Sequence, residues 1–141
     1  MARLTSFRDL DAWQFGIQLV ATVYKMVTKL PDSERFGLVA QMRRAAISIP
    51  SNVAEGQATG PGGRYRHHVR IALGSWAELV THLEVIKVLG LLAPYHVGEF
   101  ERDLERTGQL LHGLDRSLRH KQVGGGALAF LVLCSAAFLF S

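Results

Sequence analysis

The residues of this chain best suited to chemistry are basic side chains in two segments before its midpoint. Arginine and histidine crowd around a tyrosine in residues 64–70, and two adjacent arginines precede them in residues 41–46, QMRRAA. Guanidinium groups bind phosphate oxygens, so this pattern predicts a surface that contacts RNA or DNA. The candidate nucleic-acid surface comprises Arg43, Arg44, Arg64, Arg66, His67 and Arg70.

The same basic residues have a second interpretation, as a solvated face that forms salt bridges between subunits. Glu55, Glu78 and Glu84 are the acidic residues placed to pair with them. Regularly spaced aromatic residues, which would stack single-stranded bases, do not accompany the arginines. The sequence therefore leaves both nucleic-acid contact and assembly open for this surface.

Carboxylates and histidines form no comparable pattern. Glu78 and His82 are four residues apart on one predicted helix face, and Glu55 could approach them from another helix. A di-metal site in a helical bundle needs Glu-x-x-His motifs on two helices and two further carboxylates, which this sequence lacks. We therefore expect no metal, no cofactor and no enzymatic activity. Because buried polar groups need partners, we predict a polar cluster that fixes helix register: Asn52, Glu55, Ser75 and Glu78.

Composition is typical of one globular domain. The chain has 141 residues, of which 48% are hydrophobic and 20% charged, so it can bury a core. Its net charge of +4 permits a nucleic acid or an anionic membrane as partner. The single cysteine excludes an intramolecular disulfide and fits a reducing cytoplasm. Residues 1–9 contain no apolar run, so we expect no signal peptide.

Helical periodicity accounts for most of the chain. Apolar residues recur at alternating steps of three and four in residues 9–29, 33–58, 64–89 and 94–121. No segment alternates polar and apolar residues with period two, so we predict no sheet. Short connections make consecutive helices antiparallel. The predicted fold is all-α, an antiparallel up-down-up-down four-helix bundle of residues 1–122.

The first helix has two apolar stripes, although a single stripe suffices to face a bundle core. We predict that the longer stripe faces the core: Leu10, Trp13, Ile17, Val20, Tyr24 and Val27. The shorter stripe, Leu19, Val23 and Met26, would then contact a further neighbour, which indicates self-association. In the second helix, Pro50 lies within the apolar pattern, where its missing N–H predicts a kink or a break.

Several segments in fixed order resemble one bacterial family. They are FRDL (7–10), ERFGL (34–38), QMRRAA (41–46), SIPSNVAEG (48–56) and ALGS (72–75). On these segments, residues 4–122 resemble the four helix bundle proteins, also called 23S rRNA intervening-sequence proteins. That family is similar to the accessory protein of diversity-generating retroelements, a barrel-like homopentamer that binds nucleic acid and a reverse transcriptase. The resemblance implies a homo-oligomer, a pentamer like that accessory protein, with RNA or DNA and a reverse-transcriptase-like protein as partners.

The last part of the chain, residues 123–141, lies outside the resemblance. Three glycines at 124–126 predict a flexible hinge, and residues 127–140 form an apolar tail without a charge. Counted from residue 123 to residue 141, a helix is about 28 Å long, which is just enough for a membrane core of about 30 Å. The tail has three interpretations: a membrane anchor, a segment that packs on the bundle or in an oligomer, and an altered terminus.

The residues and the resemblance together predict a cytoplasmic, non-enzymatic oligomeric protein. It would serve as an accessory or scaffold protein that presents its basic surface to RNA, DNA or an enzyme acting on nucleic acid. The alternative is a membrane-tethered helical adaptor held by the C-terminal tail.

Overall fold

The computed structural model describes residues 6–60 and 63–138, with side chains as far as residue 122. Its four helices are α1 (Asp11–Val27), α2 (Leu38–Ala58), α3 (Gly63–Leu89) and α4 (Pro94–Phe138). Helices α1 and α3 each pack against both α2 and α4, which closes a four-helix bundle around one core. Within these described residues there is no strand. The all-α four-helix bundle is therefore confirmed.

Helix α1 buries the shorter stripe, whereas the longer stripe that was predicted to face the core is buried only at its ends, Leu10 and Val27. Leu19, Val23 and Met26 are fully buried, whereas Ile17 is 43% exposed and Tyr24 is 39% exposed. The core face also includes the small residues Ala12 and Gly16. These small residues let α1 approach α2 closely, since a Cβ on Gly16 would lie 3.4 Å from Cβ of Pro50. The sequence prediction was wrong for the middle of the longer stripe, because both stripes have helical spacing and periodicity does not choose between them.

Helix α2 is continuous through Pro50, so of the predicted kink or break the break is absent, and the kink stays a prediction. It also begins at Leu38 instead of residue 33, because the preceding residues Asp32–Glu34 form a separate 3₁₀ turn. The proline is buried against α1 and adds apolar contact there, which offsets part of the cost of its missing hydrogen bond. The predicted apolar stripe of α2 is confirmed as buried: Val39, Met42, Ala46, Ile49, Val53 and Gly56.

Helices α3 and α4 bury the stripes that the sequence predicts. Ala72, Leu79 and Ile86 are fully buried on α3, as are Phe100 and Leu111 on α4. The turn between the helices begins at Gly90, whose φ of +62° suits glycine. The amide of the next residue, Leu91, donates to the carbonyl oxygen of Ile86 at 3.1 Å, which satisfies a free carbonyl at the helix end.

Helix α4 extends to Phe138, well beyond the predicted end near residue 121. It runs through the three glycines at 124–126, where the sequence predicts a hinge, because backbone hydrogen bonds need no side chain and each glycine costs only about 1 kcal/mol relative to alanine. No helix in the described part of the chain is both long and apolar enough to cross a membrane. The three interpretations of the tail stay predictions, since its side chains lie outside the described residues.

Candidate functional site

A network of polar side chains joins α2 to α3. The amide of Asn52 donates to the Ser48 carbonyl at 2.9 Å and to its hydroxyl at 3.1 Å, and the Ser75 hydroxyl donates to the Ser48 hydroxyl at 2.8 Å. Nδ1 of His68 lies 3.1 Å from Oδ1 of Asn52 and 3.4 Å from Oε2 of Glu55. These five residues are the α2–α3 polar network, and they fix how the two helices align.

The polar network differs in membership from the predicted polar cluster. Asn52, Glu55 and Ser75 belong to it, but Glu78 points instead toward His82, 3.8 Å away. Ser48 and His68 are members that sequence reasoning missed. Their positions carried a signal, because Ser48 precedes Asn52 by four residues and His68 precedes Ser75 by seven, spacings that place residues on one helix face.

Just beyond the network, α2 and α3 come into close contact at Gly56. A Cβ at that position would lie 2.7 Å from Cδ2 of Tyr65 and 3.0 Å from the Tyr65 carbonyl oxygen. The Tyr65 ring is correspondingly enclosed, and this burial raises the pKa of its phenol above the ordinary value. Tyr65 therefore acts here as an uncharged packing residue.

His82 is the buried titratable group of the core. Burial lowers the pKa of its imidazole, and the nearby Glu78 carboxylate only partly opposes that effect. Its Nδ1 has no hydrogen-bond partner among the described residues. Within the same part of the chain, no three His, Cys, Asp or Glu side chains converge as metal ligands. His82 is thus a neutral core residue at pH 7.

The structure divides the predicted nucleic-acid surface into two separate parts. Arg43 and Arg44 are exposed on α2, and the Arg43 guanidinium lies over the Tyr24 ring, 5.1 Å from its centroid. Gly56, which contacts the start of α3, follows Arg44 by 12 residues, or about 18 Å along the helix axis. Arg43 and Arg44 therefore lie about three helical turns away from the start of α3 within one subunit, and contact of nucleic acid with either part stays a prediction.

Arg66 is used for a contact between helices. Its Nε lies 2.9 Å from Oδ1 of Asp115 on α4, and only 24% of the arginine side chain and 16% of the aspartate side chain are exposed. A Cβ on Gly63 would lie 3.3 Å from Nε2 of Gln122, so the start of α3 runs beside this part of α4. Arg66 is a structural residue, and its charge is already compensated.

This pairing brings basic residues of two helices to one end of the bundle. On α3, Arg70 lies one turn from Arg66, and on α4, Arg119 lies one turn from Asp115. All members of the resulting group are exposed, and none has an ion-pair partner within 4.0 Å among the described residues. We call this group the α3–α4 basic surface: Arg64, His67, Arg70, Arg116 and Arg119. Sequence reasoning missed the two arginines of α4.

A shallow apolar groove of about 280 Å³ lies between α1 and α2. Its side chains include Ile17 and the 45% exposed Ile47, and Tyr24 continues the same stripe of α1. Exposed apolar surface of this kind is typical of contact with another molecule. The residues of this α1–α2 groove are Trp13, Ile17, Val20, Ile47, Pro50, Ser51 and Ala54.

The comparisons with known proteins give one family. A family model described as "23S rRNA-intervening sequence protein" matches residues 8–113. No curated protein matches the chain. The matched segment contains α1, α2, α3 and the first part of α4, with the α2–α3 polar network and the α1–α2 groove. Since it spans well over half of the chain and the fold is a four-helix bundle, the protein belongs to the 23S rRNA-intervening sequence protein family.

Proposed function

We propose that this protein is a non-enzymatic, self-associating helical bundle that presents the α3–α4 basic surface to RNA or DNA, or to an enzyme acting on nucleic acid. The observation that carries the proposal is the Arg66–Asp115 ion pair, because the exposed Arg70 on α3 and the exposed Arg119 on α4 each lie one helical turn from it. Because Asp115 is engaged by Arg66, it does not neutralise the neighbouring arginines. Their guanidinium groups are therefore available for phosphate oxygens.

The charge-removal test replaces Arg70, Arg116 and Arg119 by alanine. We expect binding of a short RNA to weaken at least tenfold at low salt, because three phosphate contacts are lost. The slope of log K against log salt concentration should flatten by roughly 2 to 3, since each contact releases less than one counterion. Fluorescence anisotropy at several salt concentrations measures both quantities.

A control for this test removes the same charge elsewhere. Arg8, Arg35 and Arg102 are also exposed arginines, and they lie outside the α3–α4 basic surface. Replacing these three by alanine should change binding much less than the first triple variant. Equal losses in the two variants would show that net charge alone drives binding, and the assigned surface would then be wrong.

Self-association is supported by the α1–α2 groove. The bundle encloses one core that does not include Ile17 or Ile47, and both side chains stay exposed, so they are not needed to fold one subunit. We infer that a second copy of the chain covers the groove, in line with the homo-oligomer, plausibly a pentamer, that the family resemblance implies.

Replacing Ile17 by glutamate should therefore dissociate the assembly. Light scattering on the wild type should give a multiple of the 15.6 kDa chain mass, and the variant should give the single-chain mass with unchanged helix content. The control is Val88→Glu, because Val88 is 84% exposed on α3 and lies outside the groove. A monomeric wild type, or equal dissociation by both variants, would contradict the assignment.

A further inference from the structure

A second pocket, between α3 and α4, has an aromatic wall. It is an open depression of about 410 Å³ beside the half-buried indole of Trp76. The indole Nε1 donates a hydrogen bond to the Leu104 carbonyl oxygen at 2.7 Å, which fixes the ring plane. Gly108 leaves the space that the ring occupies, since a Cβ there would lie 2.5 Å from Cε2 and Cζ2 of Trp76. The ring is therefore held rigidly in place before any ligand arrives.

The other walls of this Trp76 pocket are polar and come from α4. Glu105, Gln109, His112 and Arg116 follow one another at steps of four, three and four, so they lie on one helix face. The His112 ring meets Trp76 edge to face, with centroids 5.5 Å apart. The carboxylate accepts hydrogen bonds, the amide both donates and accepts them, and the guanidinium binds anions.

This combination suits a planar heterocycle that has donors and acceptors on its edge and an anionic group attached. The volume lies within the range of small-molecule sites, which is about 300 to 1,000 Å³. A nucleobase with its phosphate has all of these properties. The base could stack on the aromatic wall, and Gln109 and Glu105 could form hydrogen bonds with the edge of the base.

The pocket adjoins the α3–α4 basic surface, because Arg116 belongs to both. We propose that the Trp76 pocket receives one unpaired base of a nucleic acid whose phosphates lie on that surface. The inference rests on the proposed function and adds that the protein binds single-stranded nucleic acid in preference to duplex. A base within a duplex is stacked and paired and cannot enter, so the pocket selects single-stranded segments, loops or bulges over duplex.

The test compares two short ligands, a single-stranded RNA and a duplex with the same number of phosphates. In the full-length chain, Gln109→Ala together with His112→Ala should weaken single-strand binding roughly tenfold and leave duplex binding unchanged. The control is His120→Ala, an exposed histidine on the same helix outside the pocket. Irradiation of the wild type with RNA that carries 5-iodouracil should attach the base to Trp76 or His112, located by peptide mass spectrometry.

The possible outcomes test the role of the Trp76 pocket separately from the role of the α3–α4 basic surface. Selective loss of single-strand affinity with a crosslink at Trp76 or His112 supports the proposal. The base-binding role of the Trp76 pocket is wrong if the double variant loses affinity equally for both ligands, if it loses no affinity, or if the crosslinks lie only at other residues. None of these results contradicts the proposed binding of nucleic acid to the α3–α4 basic surface. If neither ligand binds to the wild type, direct nucleic-acid binding by the α3–α4 basic surface is wrong, and the base-binding role of the Trp76 pocket is wrong with it.

Discussion

Leu19→Ala is expected to lower the free energy of unfolding by about 2 to 5 kcal/mol, the usual cost of truncating a fully buried leucine. Leu19 has no exposed surface, and it belongs to the core stripe of α1 with Val23 and Met26. The variant leaves a cavity that the closely packed helices can fill only in part. Urea unfolding followed by circular dichroism measures the loss.

The comparison that decides the orientation of α1 is Ile17→Ala. Ile17 is 43% exposed in one subunit, so its truncation should cost at most about 1 kcal/mol at low protein concentration. At higher concentration the cost should grow, because self-association through the α1–α2 groove adds to stability. A loss as large as that of Leu19→Ala at every concentration would show that Ile17 lies in the core and that α1 is rotated.

Gly108→Ala should be the most damaging change of a single methyl group in α4. The new Cβ would lie 2.5 Å from the Trp76 indole, and the indole cannot easily retreat because its Nε1 is hydrogen-bonded to Leu104. Overpacking of this kind costs about 1 to 3 kcal/mol and outweighs the gain of about 1 kcal/mol in helix propensity. Thermal unfolding by calorimetry measures the net change.

The matched control for Gly108→Ala is Gly74→Ala on the neighbouring helix. No atom lies within 4 Å of a Cβ built at Gly74, so only the helix propensity changes. We expect that variant to be more stable by about 0.5 to 1 kcal/mol. If Gly108→Ala is stabilised as Gly74→Ala is, the close contact between Trp76 and α4 is absent in solution.

Periodicity was sufficient to predict the fold and three of the four core faces. In α2, α3 and α4 one apolar stripe runs the length of the predicted helix, and its residues are the buried ones, as with Ile49, Leu79 and Phe100. Helix α1 has two stripes of equal spacing, and periodicity alone cannot choose between them. The choice depends on Ala12 and Gly16, whose small size matters only when the partner helix is known.

The candidate site was less predictable because its residues are distant in sequence. Arg43 and Arg44 are close to residues 64–70 along the chain but are separated from them by several helical turns. Arg116 and Arg119 are distant in sequence but lie beside the start of α3, because Asp115 pairs with Arg66. Charge patterns along a sequence show that a helix face is basic, but the pairing of helices determines which faces meet.

In the α2–α3 polar network, the donor and the acceptor of each hydrogen bond along the chain Ser48, Asn52, His68 are fixed. Since the Asn52 amide nitrogen donates to Ser48, the Asn52 oxygen is left as an acceptor, and Nδ1 of His68 must carry the hydrogen between them. The imidazole tautomer on α3 is thus chosen by the orientation of an amide on α2. An ionised aspartate at position 52 would match the volume of asparagine but could not donate a hydrogen bond to Ser48. The position therefore requires a hydrogen-bond donor as well as a side chain of this size.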